Sequence, residues 1–594
     1  MKNIRIIIPV MLGLMICSFI LGCGNVTGGG GGGGGATTRL LGISVTPEGF
    51  GTVEVSPEGT ITAEGRKYAN GTIVTITAES DGVHPFDHWG GDLSTLEPNP
   101  ATIEMKSNLD ITASFQHINV ALNVSVTPEG AGTIEPWGGT FLDYTNVLLT
   151  AEPANSDYVF KYWIIDGSNE GSTTPKTITM TTTRDVTAVF GRSLSYVSKS
   201  GNDANDGSSA NPFLTIQHGL DIAAAGGTVS VEAGLYTENL VWPTAESNIA
   251  LRGESSSTTT IDGSGIVDTC IKIVNVAPDQ TITVEGFTIE KGYANGSSGG
   301  GIRLNSDNVT LLLNDTIIYK NKAFNGNGGG LAVYMYSSNG STAIVRDCVF
   351  SSNEVTNGRG GGIMNGGSYS DNSDLQVSDC TFEYNSASDY GGAVGSYSNS
   401  LNISACDIHS NKVTSGGGGG ILLSNGGDVK NCVIFNNTAI SGSGGGIFDA
   451  YNGPVTNLIN CTLVSNEAKG SGVSAGKGGG VRTGGSYKTK IINCIVWGNS
   501  AEASDPDVWA NGFPTIRYSD ISSFPDDPIT DGTATTDADP LFVNFPPAFV
   551  GDLELQGGSP VKSSGTDEAV VPTTDYTGAS RTPPYSMGAF EKNE

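Results

Sequence analysis

Cys348-Val349-Phe350-Ser351-Ser352-Asn353 and Cys380-Thr381-Phe382-Glu383-Tyr384-Asn385 are two copies of a segment that recurs through the middle of the chain. Five further copies begin at Thr316, Cys406, Cys432, Cys461 and Cys494, and each copy ends in Asn five residues after it begins. Glycine clusters separate the copies and begin at Gly299, Gly328, Gly360, Gly391, Gly416, Gly444 and Gly478. A unit of about 30 residues that is rich in β-formers is the length of one coil of a stacked β-repeat.

Each position of the segment has a structural reason. The Cys and the residue two places later share one strand face, so both are predicted to point inward. Another apolar residue, such as Val345, lies three places before the Cys, and an odd spacing requires the chain to bend in between. The residue before the Cys is predicted to form that bend, because Asp and Asn tolerate it; Ala405 is the exception. These residues are Asp347, Asp379, Ala405, Asn431, Asn460 and Asn493.

Two columns of side chains should therefore run along the stack. The predicted inward column is Cys348, Cys380, Cys406, Cys432, Cys461 and Cys494, and the predicted amide ladder is Asn353, Asn385, Asn411, Asn437, Asn466 and Asn499. Stacked amides can pass hydrogen bonds from coil to coil. C-x-x-C pairs and histidine partners for a metal are absent, so the cysteines are interpreted as reduced core residues, with an occasional disulfide left open.

The predicted fold is all-β: a right-handed parallel β-helix preceded by two small β-rich domains. Residues 266–500 hold the repeats, 194–265 the N-terminal cap and first coils, and 501–594 further coils and a C-terminal cap. Phe213, Ile216, Leu220 and Ala224 share a helical face, which predicts a short helix beginning at Pro212. This start resembles the N-terminal region of bacterial β-helix proteins, including some polysaccharide lyases, and the resemblance implies a helix that plugs the open end.

Two similar modules precede the repeat, at residues 40–116 and 117–191. Each contains an F-x-x-W segment, Phe86 to Trp89 and Phe160 to Trp163, and a closing T-A-x-F segment that ends at Phe115 or Phe190. This pairing resembles the divergent internalin-type B repeats of bacterial surface proteins. The resemblance implies spacers that hold a functional region away from the cell envelope.

The first residues predict export. Lys2 and Arg5 precede an apolar run from Ile6 to Ile20, so residues 1–22 are interpreted as a signal peptide. The segment that ends in Cys23 resembles the lipobox of bacterial lipoproteins, which implies a lipid on Cys23 and membrane anchoring. The glycine-rich residues 23–39 are a flexible tether. Gly24 follows Cys23 where an inner-membrane retention aspartate would lie, so the outer membrane is expected in a Gram-negative cell.

Composition excludes one class of partner. Asp and Glu total 60 against 30 Lys and Arg, and the net charge is −30, so binding to nucleic acid is not expected.

No cofactor is predicted. The segment from Asp203 to Gly207 resembles a calcium loop, although a turn is favoured. His84 and His88 flank a proline in a β context, where a turn or core role is favoured over a metal site.

The function hypotheses follow from the whole architecture. The segments from Asp539, Leu553 and Met587 match the closing region of β-helix surface proteins of the choice-of-anchor Q type, and the glycine clusters resemble repeats of adhesin-like polymorphic membrane proteins. These resemblances imply a non-catalytic, lipid-anchored, adhesin-like or glycan-binding surface protein. A polysaccharide lyase or another carbohydrate-active β-helix enzyme is the alternative. No repeat of this chain is singled out by extra acids, which such an enzyme would need, although Lys291, Arg303, Arg346 and Arg359 could reach a groove.

Overall fold

The computed structural model describes residues 37–590, except 246–247, 334–339, 367–371, 399, 451–454, 472–474, 485–488, 513, 524–534, 567–570 and 584. The predicted signal peptide, Cys23 and almost all of the tether lie outside these residues. The described chain forms two compact units, one of residues up to 120 together with 141–145 and the other of the remaining residues. Among the described helices, none is long and apolar enough to cross a membrane.

The first unit contains module 1, a pair of small sheets. Its strands are β1 (Thr38–Thr46), β2 (Gly51–Ser56), β3 (Thr60–Thr62), β4 (Gly65–Ala69), β5 (Ile73–Ser80), β6 (Phe86–Gly91), β7 (Ala101–Glu104) and β8 (Leu109–Phe115). The strand orders are β3-β4-β1-β8-β6 and β2-β5-β7. Trp89 is fully buried, packs on Phe86 and donates its Nε1 proton to the carbonyl of Pro98. The F-x-x-W segment therefore builds the core of the module.

The second unit begins with module 2, which repeats this core around Trp163. Its strands are β9 (Asn119–Thr127), β10 (Gly132–Glu135), β11 (Gly139–Leu142), β12 (Asn146–Pro153), β13 (Tyr158–Ile165), β14 (Ser168–Asn169), β15 (Lys176–Thr179) and β16 (Arg184–Val197). Strand β16 pairs with β9 and β13, and its end pairs in parallel with the first strand of the solenoid, from Leu194 opposite Thr228 to Val197 opposite Val231. One continuous strand therefore crosses the predicted boundary near residue 192.

The solenoid is a right-handed β-helix of about ten turns, built from four parallel sheets. Sheet A contains Ala223–Val231, Ala250–Gly253, Gln280–Glu285, Val309–Asn314, Thr342–Arg346, Asp374–Ser378, Ser400–Ser404, Gly427–Lys430, Thr456–Ile459, Thr489–Ile492 and Thr515–Arg517. Sheet B contains Gly234–Tyr236, Thr259–Asp262, Thr288–Glu290, Ile317–Tyr319, Val349–Ser351, Thr381–Glu383, Asp407–His409, Val433–Phe435, Thr462–Val464, Ile495–Trp497 and Asp520–Ile521.

The other two sheets complete each coil. Sheet C contains Tyr293–Asn295, Lys322–Phe324, Glu354–Thr356, Ser386–Ala387, Lys412–Val413, Thr438–Ala439, Glu467–Ala468 and Ser500–Ala501. Sheet D contains Leu240–Val241, Ile271–Val274, Ile302–Asn305, Leu331–Val333, Ile363–Asn365, Val394–Ser396, Ile421–Leu423, Ile447–Asp449, Val481–Gly484 and Val508–Asn511. The central residue of each sheet B strand, such as Phe350 or Phe382, points into the core, and these two rings stack at 4.9 Å. The predicted fold class is confirmed.

The bend predicted before each Cys is a residue in the left-handed conformation. Asp347 has a φ of 53°, Asp379 of 55° and Ala405 of 50°. A second left-handed residue, such as Ser352 or Tyr384, precedes each ladder Asn and was not predicted. The short strands of sheet B are therefore held between two sharp corners.

Replacing Ala405 by Gly is expected to raise the free energy of unfolding by about 0.5–1 kcal/mol, because Ala is strained at a φ of 50° and Gly is not. Urea denaturation measures the change. Ala503→Gly, at an exposed residue outside this conformation, is the control and should be neutral or destabilising. A loss of stability in Ala405→Gly would contradict the strain argument.

Glycine clusters allow neighbouring coils to touch through their backbones. A Cβ atom at Gly361 would lie 2.2 Å from the carbonyl oxygen of Gly392, so no larger residue fits without displacing a coil. The first residue of six of the seven clusters, such as Gly360, has a positive φ. In the cluster that begins at Gly416 the residue with a positive φ is Gly418.

The N-terminal end of the solenoid differs from prediction in detail. Helix α1 spans Ile216–Ile222, begins after the cap residue Thr215 and does not begin at Pro212. Phe213 instead forms a bridge with Val197, and Ala224 lies in a strand. Two short 3₁₀ turns occur at Gly263–Gly265 and Val550–Leu553.

The last described residues cover the outer face of sheet B. Phe542, Leu553 and Met587 pack against outward side chains of that sheet, among them Phe435 and Val464. The segment is also held by hydrogen bonds to the stack. They run from the Asn431 amide to the carbonyl of Thr574, from the Asn436 amide to that of Pro547, and from the Gly588 N–H to that of Asn493. These residues therefore form a lateral flap against the solenoid.

Candidate functional site

The recurrent asparagines form a buried column. Asn353 Nδ2 donates to Asn385 Oδ1 at 2.9 Å, and Asn385 Nδ2 donates to Asn411 Oδ1 at 2.9 Å. Each backbone N–H also donates to the next side chain, as Asn353 N does to Asn385 Oδ1 at 3.0 Å. The second amide proton reaches a carbonyl of the sheet B strand one coil earlier, such as that of Phe350. The amide and backbone donors of the column all bind acceptors inside the wall of the solenoid. The column is therefore a poor candidate for binding a ligand.

The ladder ends on a carboxylate. Asn499 donates to Asp507 Oδ1 from its side chain at 2.8 Å and from its backbone at 3.2 Å. The other oxygen of Asp507 accepts hydrogen bonds from Ser522 and Ser523. Asp507 is thus a cap for the ladder. It follows no repeat position, so the pattern that revealed the ladder could not reveal its cap.

The cysteines form a second internal column. The seven described cysteines are free and buried, and six of them lie at the predicted repeat position. Each of those six thiols lies near the carbonyl two residues before it, at 3.0 Å for Cys348 and Cys380. The seventh, Cys270, lies beside a strand of sheet D. Burial removes the column from contact with a ligand at the surface.

The remaining candidates from the sequence lie apart from one another. Among the cations, Lys291 is paired with Asp262 and Glu290, which raise its pKa through hydrogen bonds. Arg303 donates to Ser297, and Arg346 is exposed at the end of a strand of sheet A. Of these cations, Arg359 lies in a groove, described below.

The segment that resembles a calcium loop is a capping turn. Asp203 accepts hydrogen bonds from the backbone of Leu214 and from the backbone and hydroxyl of Thr215, at 2.8–2.9 Å. Burial opposes the charge of Asp203, but these bonds outweigh it and lower its pKa. Among the described residues, no group of three or more His, Cys, Asp or Glu is placed to hold a metal ion.

The predicted turn role of His84 takes the form of a charged clamp within the first unit. Its Nδ1 lies 2.7 Å from Asp81 Oδ2 and its Nε2 lies 2.6 Å from Asp143 Oδ2, and its ring stacks on Phe50 at 3.7 Å. Burial opposes the charge, but hydrogen bonds to the two carboxylates outweigh it and raise the pKa of His84. Because each ring nitrogen faces a carboxylate, which accepts hydrogen bonds, this arrangement favours the charged imidazolium. His88 is paired with Asp87 at the surface.

A row of outward side chains follows sheet D along the solenoid. Strand pairing places Met364, Gly395, Leu422, Phe448, Arg482 and Trp509 in register on six successive coils. A parallel row lies five residues earlier in the same coils. In it, the N–H of the glycine that follows each residue donates to the carbonyl of the equivalent residue in the next coil. This second row is Arg359, Tyr390, Gly417, Ser443 and Lys477. We call the surface formed by these two rows and Tyr397 the sheet D groove.

Cations lie over the rings of the groove. The Arg359 guanidinium carbon is 4.7 Å from the ring centre of Tyr397 and 5.7 Å from that of Tyr390. Lys477 Nζ is 4.5 Å from the ring centre of Trp509. Such contacts hold long side chains in fixed positions and favour a dense, preorganised surface.

Two cavities open along the groove. One of about 520 Å³ is lined by Arg359, Tyr390, Tyr397, Leu422, Phe448, Arg482 and Asn511, among others. A second of about 260 Å³ shares Tyr390, Phe448 and Arg482. Ligand pockets commonly measure about 300–1,000 Å³. Gly417 keeps the second cavity open, because a Cβ atom there would lie 2.7 Å from Phe448 Cδ1.

A third cavity, of about 530 Å³, lies in module 2 and is lined by Asp166, Glu170, Lys176 and Arg184. Its cations are neutralised by its own acids, through the ion pairs Lys176–Glu170 and Arg184–Asp166. It also lacks aromatic side chains. The sheet D groove is therefore the better candidate for a binding site.

The solenoid also gathers acids that the sequence pattern did not single out. On sheet B, His409 Nε2 lies 3.7 Å from Glu383 Oε2 and 3.9 Å from Asp407 Oδ2. Burial, and then the charge of Glu383, raise the pKa of Asp407 to about 7. A carboxyl of this kind exchanges a proton near neutral pH. His409 stacks on Phe435, which is covered by the flap, so the cluster lies at the edge of packed structure.

Family models match the two regions separately. Residues 51–119 and 122–193 match the divergent InlB B-repeat domain, and residues 247–434 and 339–496 match the right-handed beta helix region. The chain combines two B-repeats with a β-helix.

A stretch of 100 residues is 29% identical to the uncharacterized protein YwoF of Bacillus subtilis (strain 168), and the match covers 16% of this chain and 21% of that protein. The chain thus spans about a fifth of the length of this relative.

Several solved structures align with the chain at low sequence identity. A complex of XylC with xylose is 12% identical, with a TM-score of 0.39 over 68% of this chain and 98% of that one. Pectate lyase Pel9A is 14% identical, with a TM-score of 0.33 over 67% and 96%. The A-module of the mannuronan C-5 epimerase AlgE4 of Azotobacter vinelandii is 15% identical, with a TM-score of 0.32 over 53% and 86%.

Proposed function

We propose that this protein is a non-catalytic, adhesin-like glycan-binding rod at the bacterial cell surface. The observation that carries the proposal is the sheet D groove, where aromatic and cationic side chains line two cavities that share Tyr390, Phe448 and Arg482. Tyr390 and Trp509 are partly exposed there, and Ser424 and Asn511 add polar groups. Aromatic side chains beside placed polar groups are common in sites for organic ligands.

The repeat suits a polymeric ligand. In-register coils place equivalent side chains about 4.8 Å apart along the axis. The two rows of the groove follow that axis over six coils, so a linear chain could contact several of them at once. Multiple weak contacts along one chain give useful affinity without a deep pocket.

The other regions would display this surface. In the proposal, a lipid on Cys23 anchors the chain, at the outer membrane of a Gram-negative cell, and the glycine-rich tether and the B-repeats carry the β-helix outward. Strand β16 supports the spacer role of module 2, because it joins the module to the first solenoid strand by backbone pairing. Partners would be polysaccharides or glycans on neighbouring or host cells.

Binding should depend on Trp509. In a glycan-array screen followed by titration, Trp509→Ala is expected to weaken the best ligand about tenfold, because a large ring leaves the groove. Trp137→Ala is the matched control, since Trp137 is 82% exposed in module 2 and should leave affinity unchanged. Equal losses in both variants, or no glycan bound, would contradict the proposal. Unsaturated products in the same mixtures would overturn the non-catalytic assignment and favour a lyase.

A further inference from the structure

We infer that the sheet D groove selects anionic glycans, whose carboxylate or sulfate groups contact Arg359 and Lys477. The inference rests on the proposed function, that the groove binds glycans. It adds the chemical class of the ligand, which follows from how the cations are placed.

The first argument is that the cations cover ring faces. Arg359 lies over Tyr397 and Tyr390, and Lys477 lies over Trp509. A neutral sugar binds an aromatic ring mainly by covering its face with C–H groups, and a cation over the ring takes that position. A ligand approaching these rings therefore meets N–H donors with positive charge. Such donors favour carboxylate or sulfate oxygens.

The second argument is charge balance. The chain has twice as many acids as bases, and many solenoid lysines are paired with an acid nearby. Examples are Lys272–Asp268, Lys291–Asp262, Lys322–Glu354, Lys430–Asp428 and Lys469–Glu467. Within the described part of the chain, no acid lies in ion-pair contact with Arg359 or Lys477. Two cations without an ion-pair partner among the described residues therefore belong to the same groove.

The third argument is their spacing. Arg359 and Lys477 lie in one row, with Tyr390, Gly417 and Ser443 between them on successive coils. Four coil steps separate the two cations by about 19 Å at a strand spacing of about 4.8 Å. A monosaccharide reaches only one of them, whereas a linear oligosaccharide lying along the axis reaches both. Affinity should therefore rise with chain length.

The test compares three oligosaccharide series of matched length: carboxylated, sulfated and neutral. The full-length chain is titrated with each series. We expect at least tenfold tighter binding of one or both anionic series than of the neutral series, and the two anionic arms show which group is preferred. Arg359→Gln with Lys477→Gln should remove that preference by weakening the anionic series at least tenfold. Trp509→Ala should weaken every series.

The control is a double variant of equal charge change, Lys322→Gln with Lys469→Gln, at lysines paired outside the groove. It should keep the preference for anionic glycans. Equal binding of neutral and anionic series, or a preference that survives Arg359→Gln with Lys477→Gln, would overturn the inference and leave the proposed function standing. Absence of binding in all three series would instead overturn the proposed function. Unchanged circular dichroism spectra would show that the variants are folded.

Discussion

Replacing Asn411 by Ala is expected to lower the free energy of unfolding by about 4 kcal/mol or more. Asn411 Oδ1 accepts hydrogen bonds from the backbone and side chain of Asn385, both at 2.9 Å. Its Nδ2 donates to the carbonyl of Phe382 at 2.8 Å and to Asn437 Oδ1 at 3.0 Å. Truncation leaves several buried groups without partners, and each costs about 1–3 kcal/mol. Urea denaturation, or hydrogen exchange of the coils on either side, measures the loss.

Asn402→Ala is the matched control, because Asn402 is in the same coil but exposed on sheet A. Its effect should stay within about 0.5 kcal/mol. Asn411→Asp keeps the acceptor but replaces the amide donor with a buried acid, so it should also destabilise the protein above the pKa of that acid. The ladder would be unimportant for stability if Asn411→Ala and Asn402→Ala had the same effect.

The second large effect is a loss of stability of about 3 kcal/mol or more when the pH rises from 5 to 8. Three buried carboxyls of the solenoid have raised pKa values. Burial raises the pKa of Asp449 to about 6. Burial, together with the charge of Glu383, raises the pKa of Asp407 to about 7. Burial, together with the charges of neighbouring acids, raises the pKa of Asp520 to about 8. Both oxygens of Asp520 are buried without hydrogen-bond partners among the described residues.

The direction in which stability changes with pH follows from proton binding. Between the unfolded pKa of about 3.9 and the folded values, the native state holds protons that the unfolded state has released. Stability therefore falls as the pH rises through this range and levels off above pH 8. Below about pH 4 the sign reverses, because carboxyls with lowered pKa values, such as Asp203 and Asp262, must then be protonated. The solenoid should be most stable in mildly acidic solution.

Thermal unfolding at pH 5 and pH 8 measures the difference. Asp520→Asn should reduce it, since an amide of similar shape carries no charge at pH 8. Asp315→Asn, at an exposed carboxylate in a corner where Asn is tolerated, should leave it unchanged. A pH dependence that survives Asp520→Asn in full would show that Asp520 is not the source.

Much of one coil could be predicted from the sequence because its interactions are local and repeated. Phe350 and the amide of Asn353 each meet the equivalent residue of the next coil, and the left-handed bend before Cys348 recurs in the neighbouring coils, so every copy repeats the same signal. The second corner, at Ser352, escaped prediction because residues of varied type occupy it, Lys, Ser, Tyr, Asn and Gly among them. Helix α1 was predicted too long, since residues 213 and 224 are buried by strand contacts rather than by a helical face.

The sequence by itself therefore determined the coil, its stacking and the two B-repeat modules, because a repeated pattern shows which side chains meet their own copies. Only the tertiary structure decided the sheet D groove. Arg359, Tyr390, Phe448, Lys477 and Trp509 come from five different coils, and no two of them repeat at a fixed spacing. The same holds for Asp507, which ends the ladder, and for the sheet B acids. Such sites depend on which unlike residues the stack places side by side, and that placement depends on the length of every loop between them.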